Sequence, residues 1–413
     1  MFKKIIVLFL PLYLCSGSFF YSQVTEWEIF DESNSLLPNN TIRCLLVDRT
    51  NQLWIGTDNG LAHLTNGTWE IFNTSNSGLT DDYIRALAVD NNNHIWIGTT
   101  LGGLLKYDGS TWQAFTTLNS NISDNFIRAI SIDTAGNKWI GTVEGLTMFD
   151  NTNWQTWTIA NSGIFSNNIT SIGIDSQNNK YIGTINGGLI YIINGILHNY
   201  TILNAGVPDN SISAVQIDEL GKPWYASPAQ GLFTDTGNQT WLLQNSSNSG
   251  LVSNSLTTMI IDDTQNFYLG THQNGLSIKT YNSLWENYTV SNSGIPENHI
   301  LSLAKDSNNY VWIGTYSKGL VRLLEGQLDL KHLQKDQNTQ VFPNPAHSNE
   351  QINFNRILIQ PTIQIFSTEG KLISTESYKD IISTISFPFL KQGNYIIKIQ
   401  ENDKIENIHF IIF

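Results

Sequence analysis

Arg43, Arg85 and Arg128 stand 42 and 43 residues apart, each one place after an isoleucine. A guanidinium offers paired N–H donors that suit a carboxylate or the hydroxyls of a sugar. Thr170, Ser213, Thr257 and Leu301 take the corresponding place later in the sequence, so the cationic character is one-sided. Upstream of these positions lies a recurring polar series: Asn40, Asp82, Asn125, Asn168, Asn210, Asn254 and Asn298. His272 and Tyr316 could add stacking or hydrogen bonds. The candidate ligand-binding set is therefore these arginines, the polar series, His272 and Tyr316. In the competing reading the arginines pair with Asp81, Asp82 and Asp124 and merely neutralise a rim.

Catalysis finds less support. The eight histidines show no His-Glu-x-x-His spacing, and no nucleophile elbow is present. His63, His94, His198, His272 and His299 fall at different places in the repeat, and His272 with Glu297 is the best acid–base pair available. No catalytic residue is assigned and no cofactor is expected. A recurring Asp followed by Asn or Gly (Asp48/Asn51, Asp90/Asn93, Asp133/Gly136) invites a calcium reading. Too few carboxylates cluster in each turn, however, and an Asx-type turn accounts for them, so no metal is expected.

These residues are set in a sevenfold repeat. Trp-Ile-Gly-Thr begins at Trp54, Trp96 and Trp312, with variants around Trp139, Tyr181, Trp224 and Tyr268. Its third position falls at Gly56, Gly98, Gly141, Gly183, Ala226, Gly270 and Gly314, and an aspartate stands eight places before each. A Gly-Leu pair follows, from Gly60-Leu61 to Gly319-Leu320. In the second unit, apolar alternation predicts strands at Ile84–Val89, Ile95–Thr99, Leu104–Tyr107 and Trp112–Phe115. Four short strands per repeat of roughly 40–45 residues make a propeller blade, and closing seven of them removes the open sheet edges. The alternation puts Trp96 and Gly98 on one face, which suggests that the tryptophan of one blade covers the glycine of a neighbour. Trp27-Glu28-Ile29-Phe30 copies an outer-strand pattern ahead of the first unit and is expected to complete the last blade.

The fold class expected is all-β: a seven-bladed β-propeller over 23–328, a linker at 329–340, and a small Ig-like β-sandwich at 341–413. Residues 1–22 read as a signal peptide, with Lys3 and Lys4 before the short apolar run from Ile5 to Leu14. Cys15 fits a lipoprotein cysteine poorly after Leu14, so simple cleavage is expected, and Cys44 is then the only cysteine left. No later stretch is apolar enough to anchor the chain. A formal net charge of −13 argues against nucleic acid and anionic membrane surfaces. A monomer is expected.

Through its Asp…Trp-Ile-Gly-Thr…Gly-Leu arrangement, the repeat region resembles the two-component regulator propeller repeats of bacterial sensors. That resemblance implies an extracytoplasmic propeller of a kind that often recognises oligosaccharides. The chain has no kinase, so phosphotransfer is not implied. From about residue 340, Pro343-Asn344-Pro345-Ala346, Gly370-Lys371 and Leu390 with Gly393-Asn394-Tyr395 resemble the C-terminal sorting domain of type IX secretion in Bacteroidetes. This implies handling by the type IX machinery through 341–413, with release or surface attachment. The function read from these features is a secreted or cell-surface binding module for carbohydrate or another extracellular ligand. The alternatives are a structural or adhesion protein, and a propeller lyase or hydrolase, with the balance against an enzyme.

Overall fold

The computed structural model describes residues 27–280, 284–324, 341–342, 351–359, 361–368, 370–379, 381–386, 390–401 and 404–412. The leader reading, the linker and Pro343-Asn344-Pro345-Ala346 lie outside the described residues. The chain divides into two units, Met1–Gly326 and Gln327–Phe413.

In the first unit, seven antiparallel sheets of four strands follow one another. The second unit of the repeat forms strands at Ile84–Val89, Ile95–Thr99, Leu104–Tyr107 and Trp112–Phe115, as its pattern predicts. Each inner strand packs on that of the next blade, and the inner strand of blade seven packs on that of blade one, so the circle shuts.

The recurring aspartate has two jobs. In blade two, Asp90 Oδ1 accepts the amides of Asn92 and His94, closing the turn, while Oδ2 accepts Trp96 Nε1 at 3.1 Å. The same donor reaches the same aspartate from Trp54, Trp139, Trp224 and Trp312, and from the hydroxyls of Tyr181 and Tyr268. The fourth turn residue has positive φ in every blade (Asn51, Asn93, Gly136, Asn178, Gly221, Gln265 and Asn309), which explains why Asn or Gly dominates there.

The glycine of the motif is covered differently from the expectation. A Cβ on Gly98 would lie 2.5 Å from Ile127 Cγ2, on the inner strand of the next blade. Ile84, Ile169, Ile212, Ile300 and Ile42 crowd Gly56, Gly141, Gly183, Gly270 and Gly314 in the same way. Trp96 does pack between blades, but against Phe149, with the Lys138 ammonium 4.7 Å above its ring. Strand alternation tells which face a side chain takes but not which neighbour meets it.

Trp27–Phe30 forms the outer strand of blade seven, pairing Trp27 with Leu323 and Phe30 with Leu320. Glu28 forms an ion pair with Arg322 across this seam. Trp27 also lies against Gly294 as Trp112 lies against Gly78, so the closing strand repeats an ordinary joint between blades.

In the second unit, strands Val341–Phe342, Gln351–Ile359 and Ile381–Ser386 form one sheet. Leu372–Ser377, Thr362–Ser367, Gly393–Glu401 and Lys404–Ile412 form another. One core joins them, with Phe354, Leu358 and Ile385 from the first sheet against Ile365, Ile397 and Phe410 from the second. The strand at 351–359 opens on the alternating Ile352-Asn353-Phe354-Asn355, whereas 381–386 alternates less clearly.

Deleting residues 23–31 should lower the melting temperature of the entire propeller by about 10 °C; calorimetry showing an unchanged main transition would refute the latch. A second outcome follows from the turns. Burial raises the carboxyls of Asp48, Asp90, Asp133 and Asp262, but ring and amide donors, with Lys305 at Asp262, outweigh it, so each sits below its ordinary value of 3.8. A depressed carboxyl contributes fully above its unfolded pKa and loses that contribution as the pH falls through the folded one. Urea unfolding should therefore show stability falling below about pH 4, and a rise there would contradict the assignment.

Candidate functional site

Successive strands of a blade run antiparallel, so the loops entering the inner strands share a face with those joining second and third strands. On that face the three arginines occupy a bulge. Pairing slips by one residue between Ile42 and Cys44, Ile84 and Ala86, and Ile127 and Ala129, leaving Arg43, Arg85 and Arg128 unpaired in the ladder. A bulge bends the strand and re-aims its side chain.

Each arginine is set by the residue fifteen places on, just after the Trp-Ile-Gly-Thr strand. Arg43 makes a bidentate pair with Asp58, at 2.6 and 2.7 Å. Arg85 donates Nε to Thr100 Oγ1 at 3.1 Å. At the third position the residue is Val143, which offers no acceptor, and Arg128 Nε is buried without a hydrogen-bond partner. Among the described residues neither Arg85 nor Arg128 forms an ion pair. The expected partners are occupied elsewhere: Asp81 accepts the amides of Tyr83 and Leu101, Asp82 that of Thr74, and Asp124 that of Phe126. The guanidiniums of Arg85 and Arg128 instead lie 5.4 and 5.2 Å from the centre of the Phe126 ring.

Charge follows from this arrangement. The hydrogen bonds that Arg43 donates to Asp58 hold its guanidinium above its ordinary value. Burial first, and then the neighbouring cation, pulls Arg85 and Arg128 below theirs. Both remain cations at neutral pH and are half-buried.

The site continues round the mouth through blades seven and six. Tyr316 lies 5.7 Å from the Arg43 guanidinium and stacks on His299, whose Nε2 is 3.1 Å from Nδ1 of exposed His272. The proposed acid–base pair is not formed: Glu297 accepts the amide and hydroxyl of Ser317, and His272 meets His299. His63 stacks on Trp54 and His94 contacts Asp90, so both serve the blades.

The polar series is committed to the scaffold. Asn40, Asp82, Asn125, Asn210, Asn254 and Asn298 each accept the backbone amide eight residues before, at 2.7–3.0 Å. In blade four that place belongs to Asn167, which accepts from Ile159 at 2.8 Å. Asn168 is one position out of register, aligned with Phe126 and His299, and its Oδ1 is buried without a partner. Phe126, Asp58, Thr100 and His299 were missed by sequence reasoning, although the constant offset of fifteen would have revealed Asp58 and Thr100.

Residues 340–413 match the secretion system C-terminal sorting domain, and residues 36–59, 78–100 and 294–317 match the two component regulator propeller. The chain thus carries regulator propeller repeats and a type IX sorting domain, and is a type IX-secreted, cell-surface or extracellular protein. No curated protein matches it. Among solved structures it is similar to the extracellular domain of a hybrid two component system from B. thetaiotaomicron, at 18% identity and a TM-score of 0.64, covering 94% of this chain and 57% of that one. It is also similar to PorZ, a surface component of the type IX secretion system of Porphyromonas gingivalis, at 17% identity and a TM-score of 0.54, covering 91% and 59%. Virginiamycin B lyase from Staphylococcus aureus matches at 11% and 0.60, covering 73% and 99%. These likenesses show the propeller fold, and the chain spans a little over half the length of the first two. Among the described residues no helix is long and apolar enough to cross a membrane.

Burial and His272 together hold His299 below the ordinary imidazole value of 6.5. A base lowered on folding contributes stability that is full above its unfolded pKa and lost as the pH falls. NMR titration should place His299 below 6.5, neutral at pH 7; a value above 6.5 would show that Glu297 dominates instead.

Proposed function

We propose that the propeller is an extracellular binding module whose channel mouth takes an acidic glycan. The observation that carries this reading is the pair of half-buried guanidiniums, Arg85 and Arg128, which lie 5.4 and 5.2 Å from the Phe126 ring and, among the described residues, have no carboxylate partner. Unmet donors on a cation are costly, and a ligand carboxylate relieves that cost with charge-assisted hydrogen bonds. Phe126 offers an apolar face to the C–H side of a sugar ring, while Tyr316, His299 and His272 extend the shelf with further hydrogen-bonding groups. Sorting by the type IX route places such a surface where extracellular polysaccharide is met. The polar series serves this site by fixing its loops, and the arginines, His272, Tyr316 and Asn168 remain as the residues that would touch ligand.

A structural or adhesive role is the second reading. It draws on apolar side chains exposed on successive loops of the same face, among them Leu118 and Leu203, each 95% exposed. A lyase or hydrolase finds less footing, since His272 and Glu297 are not paired.

The arginines decide between these. On a glycan array, replacing Arg85 and Arg128 together with Ala should weaken acidic glycan binding by about 30-fold or more, with the fold intact by circular dichroism. Unchanged affinity would remove the site, and an array without saccharide binding would favour adhesion.

A further inference from the structure

We infer that the mouth selects a saccharide bearing an isolated carboxylate with a hydroxyl or amide N–H beside it, Arg128 receiving the acid and Asn168 the donor, and that it rejects dense polyanions. This rests on the glycan-binding reading and sharpens it to a ligand class.

Five buried side-chain atoms among the described residues lack a hydrogen-bond partner: Arg128 Nε, Asn168 Oδ1, Ser171 Oγ, Asn199 Oδ1 and Gln265 Nε2. Ser171 has a local explanation. In blade seven, Ser302 Oγ donates to the carbonyl of Ile42 in the next blade, but in blade four Thr170 Oγ1 has taken the corresponding carbonyl of Ile212, at 2.6 Å. Asn199 lies on the outer strand Ile196–Tyr200, and Gln265 in a turn on the opposite face. Arg128 and Asn168 remain. They stand on the mouth at adjoining blades, whose inner strands pack on each other. They have opposite polarity, one a cationic donor and the other an acceptor. Leaving such a group unpaired costs about 1–3 kcal/mol, so the two together favour a ligand presenting an acceptor next to a donor. Sulfate and phosphate diesters present acceptors alone. A uronic acid beside a free hydroxyl or an N-acetyl group presents both.

The surroundings set the charge density. Arg43 is neutralised by Asp58, and among the described residues Arg85 and Arg128 form no ion pair. Asp81 and Asp124 lie on the same rim, and the whole chain carries −13. A first carboxylate is drawn to Arg85 and Arg128, but a second charge within the screening distance of about 8 Å meets carboxylates. Repulsion of this kind gives specificity against the wrong ligand rather than affinity for the right one.

The test titrates three probes into the secreted full-length protein by calorimetry at physiological salt. They are an alternating glucuronate–N-acetylglucosamine tetrasaccharide, a heparin tetrasaccharide, and neutral chitotetraose. The first should bind, and the other two should be at least about tenfold weaker. Asn168→Leu should weaken the first about tenfold without moving the melting temperature. Asn168→Asp should abolish binding by setting a carboxylate beside Arg128. Heparin binding as tight as the first probe, or an unaffected Asn168→Leu variant, overturns the selectivity and leaves the arginine site standing. If no acidic probe gives a signal that Arg85→Ala and Arg128→Ala abolish, both ideas fall together.

Discussion

Neighbouring blades come close enough to shut a sevenfold circle because the second strand of one carries almost no side chain where the inner strand of the next crosses it. Gly98 and its counterparts supply that gap, and a β-branched isoleucine from the next blade fills it. Ala226 is the single departure, larger by one methyl and itself fully buried. The indole of the motif, tied through Nε1 to the turn aspartate, holds the other end of the same strand. Each blade is thus clamped at two heights, by apolar contact near the mouth and by a buried polar bond at the opposite face. Cores packed to crystal-like density transmit such constraints with little slack.

Because the scaffold is held by those positions, the bulged residue between them is free to vary. Three blades use it for arginine, and the residue fifteen places on grades their states from bidentate pairing through one hydrogen bond to none. Asp58, Thr100 and Val143 thereby turn one repeated geometry into three electrostatic environments. The functional asymmetry of the mouth comes from a few substitutions on a regular frame, as expected where loops carry function and strands carry stability.

The blades were legible because seven copies vote on each position. Strand limits in the second unit, the turn aspartates and the closing strand all followed from that agreement. What alternation could not supply was the identity of neighbours across blades, so the covering of Gly98 was assigned to tryptophan when isoleucine does it. The same gap hid the bond from Trp96 to Asp90, six residues apart in sequence but joined across a turn. In blade four the doubled Asn167-Asn168 let the polar series slip by one place. Asn168, included for the wrong reason, proves to be the one member with an uncommitted oxygen. The sequence pairs the arginines with Asp81, Asp82 and Asp124, whereas the partner of Arg43 is Asp58, on the far side of a hairpin.

Blade seven draws its strands from both ends of the propeller sequence, Ile300–Leu324 and Trp27–Phe30. A chain emerging from the ribosome therefore makes its first strand nearly three hundred residues before that strand has anything to pair with. Six blades can assemble in order of synthesis, each on its predecessor, but the last join is a contact of very high sequence separation and waits for everything between. Until then the arc has two raw ends.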